Sequence, residues 1–359
     1  MAQSAHKLAG GIVDMSDVTL AQFGWRAFFS KQVSAEEKIC CRPVRVMSVH
    51  RGRVTVAGEG FEDSIVSTLP GAEGGEDRPT VGDWLLIDHD NHGLKRILDR
   101  ASLFKRPAPG DDRRVQLIAA NIDTLFVVTS CNRDFNVARL ERYLVLAREV
   151  GVRPVVVLTK ADQTPVPGRF ADAARALQSD LRVESVNARD PTSAALMARY
   201  CAAGQTVALV GSSGVGKSTL INTLTGSADI ATQAVREDDG KGRHTTTVRE
   251  MHRLSRGGWL IDTPGIRELQ MSAVTSGVAE VFDDVTDVAL ECQFTNCGHG
   301  EEPGCAIVAA VALGSLDPAR IDRWRKLAEE DAQNSGAVET RPRSRSRRTG
   351  NRKSRLPDQ

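Results

Sequence analysis

The sequence predicts a multidomain chain in which an all-β unit, an α/β unit and a mainly helical unit follow one another. Three observations carry that expectation. Short β-like runs separated by Gly, Asp, Asn and Pro turns fill residues 39–106. Apolar strands then alternate with amphipathic helices through 107–272, and three cysteines with a histidine sit in the short-looped stretch 273–335. With 359 residues the chain can form two or three cores of ~100–200 residues each.

Residues 1–38 read as an extension, in which TLAQFGWRAFFS at 19–30 has the pattern of a short amphipathic helix. From 39 onward RPVRVMSV, GRVTVAG, DSIVSTL, GDWLLIDH and LKRILDR spell a small barrel. An oligonucleotide-binding (OB-like) barrel is the first expectation and an SH3-like barrel the second, because strand count alone does not separate them. Arg42, Arg45, Arg51, Arg53 and Lys95 scatter positive charge over it, which is either an RNA-facing surface or ordinary solvation. The next part runs from NIDTLFVVTS through VARLERYLVLAREVG, VRPVVVLTK and GRFADAARALQS to QTVALVG and GWLIDTPG, the pattern of a doubly wound, mostly parallel sheet.

Net charge is only +1, yet the tail at 336–359 ends in RPRSRSRRTGNRKSRLPDQ, with eight positive residues against Asp358. Such a composition cannot bury apolar surface, so a disordered, basic tail is expected, fit for RNA or serving as a solubilising end. No run approaches the ~20 apolar residues of a spanning helix, and the first thirty residues lack a secretory pattern. The seven cysteines suggest no disulfide framework, and the expectation is a soluble, cytoplasmic protein without a membrane partner.

GSSGVGKS at 211–218 fits G-x-x-x-x-G-K-[ST] between the apolar strand TVALV and a helix start. Gly211, Ser212, Ser213, Gly214, Val215 and Gly216 would turn backbone N–H groups onto phosphates. Lys217 would neutralise the β- and γ-oxygens and Ser218 would hold Mg²⁺, with Thr219 next in the helix. A phosphate loop alone permits an ATPase or kinase, so the base is argued separately. TKAD supplies Thr159, Lys160, Ala161 and Asp162: the carboxylate could accept from the N1 and N2 donors of guanine, and the lysine stem could lie along the ring. Taken alone, TKAD is also compatible with an exposed turn.

NAR at 187–189 places Asn187 and Ala188 where a second base-contacting loop would stand, and DTPG at 262–265 offers Asp262 for Mg²⁺ through water and the Gly265 N–H for γ-phosphate. Between them GKGRHTTTVRE is suited to a loop that orders around γ-phosphate and Mg²⁺. Thr246 is the expected metal ligand there, with Thr245 and Thr247 as rivals. Ile266 stands near the place where Ras-like enzymes carry a water-orienting glutamine, so slow intrinsic hydrolysis is expected, and His244 is the candidate to position water. Base loop before phosphate loop is the order of a circularly permuted GTPase, in which the segment after Asp262 leads into the C-terminal module.

GDW, AANID, TKAD, GSSGVGKST, GRHTTT, DTPG and the cysteine cluster together resemble the ribosome small subunit-dependent GTPase A family. That resemblance implies an OB-like barrel, a circularly permuted P-loop GTPase domain and a zinc-binding helical domain, in that order. It implies a GTP hydrolase that binds the small (30S) ribosomal subunit and 16S rRNA, is stimulated by it and assists its late maturation; separately, a monomer is the expected state of the chain. Thr159 and Asn187 depart from the family's usual Asn and Ser.

CQFTNCGHGEEPGC supplies Cys292, Cys297, His299 and Cys305, a Cys₃His set suited to tetrahedral Zn²⁺. All four ligands come from protein, so a structural zinc is expected, the alternative being reduced surface cysteines. Competing expectations for the whole chain are a P-loop ATPase or small-molecule kinase, and a nucleotide-gated RNA-binding module with little turnover.

Overall fold

The computed structural model describes residues 17–68, 75–107, 115–226, 249–262, 271, 273–300 and 302–339. The first five strands are β1 (Cys41–His50), β2 (Arg53–Gly58), β3 (Phe61–Val66), β4 (Trp84–Asp88) and β5 (Leu94–Ile97). They pair in the order β3-β2-β1-β4-β5, all antiparallel. Alternate side chains, among them Val44, Val46, Val54, Val56, Leu85 and Ile87, point inward and form a core of their own. The edges are drawn together where His92 Nδ1 lies 3.0 Å from Asp63 Oδ2. This is the strand order of a partly open OB-like barrel.

A hairpin of β6 (Leu103–Pro107) and β7 (Val115–Ala120) leads into the α/β part. There β8 (Thr124–Ser130), β9 (Arg153–Thr159), β10 (Arg182–Ser185), β11 (Thr206–Val210) and β13 (Trp259–Asp262) lie parallel in the order β10-β9-β8-β11-β13. Their near-continuous apolar sequences follow from burial on both faces: Leu125, Val127, Val156, Leu158 and Ala208 pack into one core, and Phe126, Val128, Val155, Val157 and Val207 into the other. Helices α3 (Val137–Glu149) and α4 (Pro167–Arg175) make the crossovers. Strand β12 (Arg249–Arg253) runs antiparallel beside β13 and also pairs with β1, Ser48 opposite Glu250 and Val49 opposite Arg249. Barrel and parallel sheet are therefore one continuous sheet.

The extension differs from the expected helix at 19–30. Only α1 (Ala27–Ser30) is helical there, followed by α2 (Ala35–Cys40), which is closed by a capping box between Ser34 and Glu37. Gly24 interrupts any earlier helix: its φ is +95°, and a Cβ would stand 2.9 Å from the Gly204 carbonyl oxygen. The aromatics are spent on tertiary packing instead. Phe23 stacks on Trp259 with centroids 5.3 Å apart, and Trp25 meets Trp84 edge-on at 4.8 Å. The Trp259 Nε1–H donates to the Gln22 carbonyl at 2.8 Å.

Beside this strap, buried Arg45 donates to the carbonyls of Phe23, of Gly82 at 3.3 Å and of Asn121 at 3.2 Å. Asn121 Nδ2 also donates to the Gly82 carbonyl at 3.0 Å, while Arg100 grips buried Asp83 with bonds of 2.7 and 2.8 Å. GDW and AANID thus form the joint between barrel and α/β sheet.

The C-terminal part comprises α7 (Thr275–Val281), α8 (Asp283–Ala289), α9 (Ala306–Ala312) and α10 (Pro318–Glu339), and it packs on α3. Glu141, fully buried on α3, meets Arg323 at 2.7 Å and Arg320 at 3.3 Å. Arg142 forks onto Glu330 at 2.6 and 2.7 Å, and Glu149 accepts from the Gly277 amide at 2.7 Å. No described helix is long and apolar enough to cross a membrane.

Candidate functional site

Strand β11 delivers the chain to Gly211 at the carboxyl edge of the parallel sheet, where α/β folds bind ligands. Gly211 has φ +144°, and a Cβ would come within 2.2 Å of the Val128 carbonyl oxygen, so the loop can leave β11 only as glycine. Ser213 and Gly214 are exposed at the crest, Val215 tucks inward, and helix α6 (Lys217–Thr225) begins after Gly216. Ser218 and Thr219 are half-buried in its first turn. Lys217 is only 6% exposed, and its Nζ donates to the carbonyl oxygens of Gly211, at 2.8 Å, and Ser212. A cation folded back over the loop in this way is positioned to exchange carbonyls for phosphate oxygens.

A second strand end, two places along the sheet from β11, is bound to this loop. Thr159, fully buried at the end of β9, donates its hydroxyl proton toward the carbonyls of Val215 and, at 3.2 Å, of Thr129. The side chain at this position thus braces the 211–217 loop. Lys160 then adopts φ 55°, and the 3₁₀ turn Ala161–Gln163 presents the Asp162 carboxylate to solvent. The second loop follows β10: the Asn187 amide donates to Ser193 Oγ at 2.8 Å, its side-chain oxygen accepts from the Arg189 amide at 3.0 Å, and helix α5 (Pro191–Ala194) follows. The buried Ala188 carbonyl accepts from Thr223 Oγ1 of α6 at 2.7 Å. Asp262 closes β13 on the other side of β11, partly exposed. The structure thus brings Thr159 onto the 211–217 loop and Ala188 onto helix α6 at Thr223, with Asp162 after β9 and Asp262 at the end of β13 on either side of β8 and β11. His244, Thr245, Thr246, Thr247, Gly265, Ile266 and the basic tail lie outside the described residues.

Cys292, Cys297, His299 and Cys305 offer ligand atoms that all lie within 4.8 Å of one another, a cluster that can hold a metal ion. Tetrahedral zinc with bonds of about 2.3 Å to sulfur needs sulfur–sulfur edges of about 3.8 Å, so the set fits with small adjustments. His299 Nδ1 stands 3.4 Å from Cys292 Sγ. Burial pushes the Cys292 thiol up, but the amides of Ala306 and Ile307 and the neighbouring thiols outweigh it and hold it below the ordinary cysteine value, which favours the thiolate a metal requires. Glu302 braces the loop by accepting from the amides of Gly298, at 2.9 Å, and Gly300, at 2.7 Å. The Trp324 ring flanks His299 at 5.4 Å.

The sequence pattern of the RsgA GTPase family matches residues 97–272. A protein of Mesorhizobium japonicum named small ribosomal subunit biogenesis GTPase RsgA is 48% identical over 334 residues, 92% of this chain and 95% of that one. The chain belongs to the RsgA GTPase family. A second relative, small ribosomal subunit biogenesis GTPase RsgA 2 of Vibrio vulnificus, is 44% identical over 319 residues, spanning 88% of this chain and 89% of its own length. The crystal structure of YjeQ from Thermotoga maritima superposes with a TM-score of 0.60 at 24% identity, over 80% of this chain and 98% of that one. YloQ, described as a circularly permuted GTPase, gives a TM-score of 0.57 at 22% identity, over 80% and 94%. The multidomain, circularly permuted RsgA fold is thus the fold of this chain, and the order of motifs along it is explained.

Two residues of the RsgA-type site were not singled out by motif. Arg139, in the first turn of α3, donates from its guanidinium to Ser212 Oγ. Thr223 in α6 ties the second base loop to the phosphate-loop helix. Neither falls in a glycine-rich or acidic signature, and only the fold brings them to the site. A groove of about 1010 Å³ lies elsewhere, lined by Lys95, Arg100, Lys105, Glu149 and Val274 where barrel, hairpin and α3 meet.

Proposed function

We propose that this chain is a GTPase that binds the small ribosomal subunit, hydrolyses GTP to GDP and phosphate with stimulation by the subunit, and assists its late maturation. The observation that carries the reading is the joining of base and phosphate motifs: the hydroxyl of Thr159, from TKAD, meets the Val215 carbonyl of GSSGVGKST. That bond brings sequence segments far apart side by side, which supports a single nucleotide site, in a chain nearly half identical to an RsgA GTPase.

In this reading Asp162 accepts the N1 and N2 protons of guanine, the stem of Lys160 and Ala161 cover the ring, and Asn187 and Ala188 close its far side. The amides from Gly211 to Gly216, Lys217 and Thr219 hold the phosphates. Ser218 and Thr246 would hold Mg²⁺, with Asp262 reaching it through water, and the Gly265 amide would sense the γ-phosphate; bound Mg²⁺ would neutralise charge on the β- and γ-oxygens. His244 positions the attacking water. With isoleucine at 266, intrinsic turnover is expected near ~10⁻⁴ s⁻¹ rather than 1 s⁻¹. Zinc is structural, since four protein ligands leave no open position. The barrel and the C-terminal module, with the basic tail, contact 16S rRNA, and the protein acts as a cytoplasmic monomer.

The test is GTP turnover with and without purified small subunits, together with ATP competition for a fluorescent guanine nucleotide. Stimulated GTP hydrolysis that excess ATP does not suppress is expected. Equal competition by ATP would identify an ATPase or kinase, and no turnover with subunits would leave only an RNA-binding module.

A further inference from the structure

We propose that Arg139 supplies a second cation, from within the chain, to the terminal phosphate of the bound nucleotide. The proposal rests on the reading of the 211–217 loop as a GTP site. Asn136 caps α3 by accepting the Arg139 amide at 2.9 Å, which fixes the first turn beside the phosphate loop. From there the exposed Arg139 side chain donates to Ser212 Oγ, while Lys217 Nζ donates to the carbonyl of that same serine. Two cations thus converge on one loop residue, and among the described residues no carboxylate pairs with Arg139. A guanidinium resting on a neutral hydroxyl exchanges it readily for an anion, because charge-assisted bonds to phosphate are roughly twice as strong. Its planar fork also suits two phosphate oxygens at once.

The position of this arginine is set from the far side of the helix. Two residues on, Glu141 is buried between Arg320 and Arg323 of α10, and Arg142 is paired with Glu330 of the same helix. α3 is therefore held in place by the C-terminal module, which sets where Arg139 stands. In hydrolysis, water oxygen bonds to the γ-phosphorus as the bond to the β–γ bridging oxygen breaks. GDP leaves with that electron pair and inorganic phosphate and a proton are released. Arg139 offsets the negative charge on the γ-oxygens during transfer, beside Lys217.

The experiment compares the full-length wild-type protein with R139A and R139K, using fluorescent GDP, a non-hydrolysable GTP analogue, GDP with aluminium fluoride, and single-turnover hydrolysis. R139A should melt at the wild-type temperature and bind GDP as the wild type does. It should bind the triphosphate analogue about tenfold more weakly. It should lose about 100-fold in turnover, and fail to form the aluminium fluoride complex; R139K should recover part of each loss. Unchanged turnover and an unchanged ratio of triphosphate to GDP affinity in R139A would overturn the proposal. So would equal loss of GDP and triphosphate, which marks a residue that only shapes the loop. A wild-type protein that binds no guanine nucleotide would instead refute the underlying site.

Discussion

At the scale of single residues, the two ends of TKAD face opposite ways: Asp162, the proposed reader of the base, faces solvent, and the Thr159 hydroxyl anchors the 211–217 loop. D162N should therefore weaken GTP by about 100-fold, the cost of two charge-assisted bonds, without unfolding the protein. The same change should improve xanthosine triphosphate relative to GTP, since an amide can donate where xanthine carries oxygen. Competition binding would show whether the preference reverses. Glu37 offers a second check. Arg96 grips its carboxylate at 2.9 and 3.0 Å, and with the Ser34 amide holds it below the usual carboxylate value. A lowered folded value stabilises above pH 4.5 and is lost as pH falls through it. E37Q should cost ~1 kcal/mol at neutral pH, from cap and ion pair together, and the gap to wild type should close as urea titrations move below pH 4.5.

At the scale of elements, the parallel strands were legible because residues buried on both faces must be apolar throughout. β8, β9, β11 and β13 stand within a few residues of where TLFVVTS, RPVVVLT, TVALV and WLID announce them. The phosphate loop was legible for a similar reason, since its chemistry is concentrated in one contiguous stretch. Arg139 and Thr223 were not, because their partners lie far away in sequence and their own neighbours carry no signature. The segment at 19–30 misled: its apolar spacing suits a helix, but its aromatics face two different domains around Gly24. In the C-terminal helices the proposed structural zinc would contribute most, on the order of 10–16 kcal/mol as in other small modules. The purified protein should carry one zinc, and stripping it with a chelator should alter the fluorescence of Trp324, whose ring lies 5.4 Å from that of His299. Emission that ignores metal removal would argue for mere surface cysteines.

At the scale of the whole molecule, the strap before β1 and the seam between β1 and β12 make the barrel and the nucleotide sheet one mechanical body. Phe23 is buried between them, stacked on Trp259, so F23A should destabilise by ~3–5 kcal/mol. Urea unfolding followed by tryptophan fluorescence and by nucleotide binding should shift together. Loss of one signal at unchanged midpoint in the other would mean that the two parts stand independently.

The seam also has a birth order. Ser48 and Val49 leave the translating ribosome early, whereas their partners Glu250 and Arg249 follow only after every other strand of the nucleotide sheet except β13 has been made. The nascent barrel must wait with one flank of β1 unpaired at Ser48 and Val49, beyond the stretch that β4 covers, an exposed edge of the kind that invites wrong partners. Pairings this remote along the polypeptide form slowly, so the hydrogen bonds that join the two halves close well after the barrel's own.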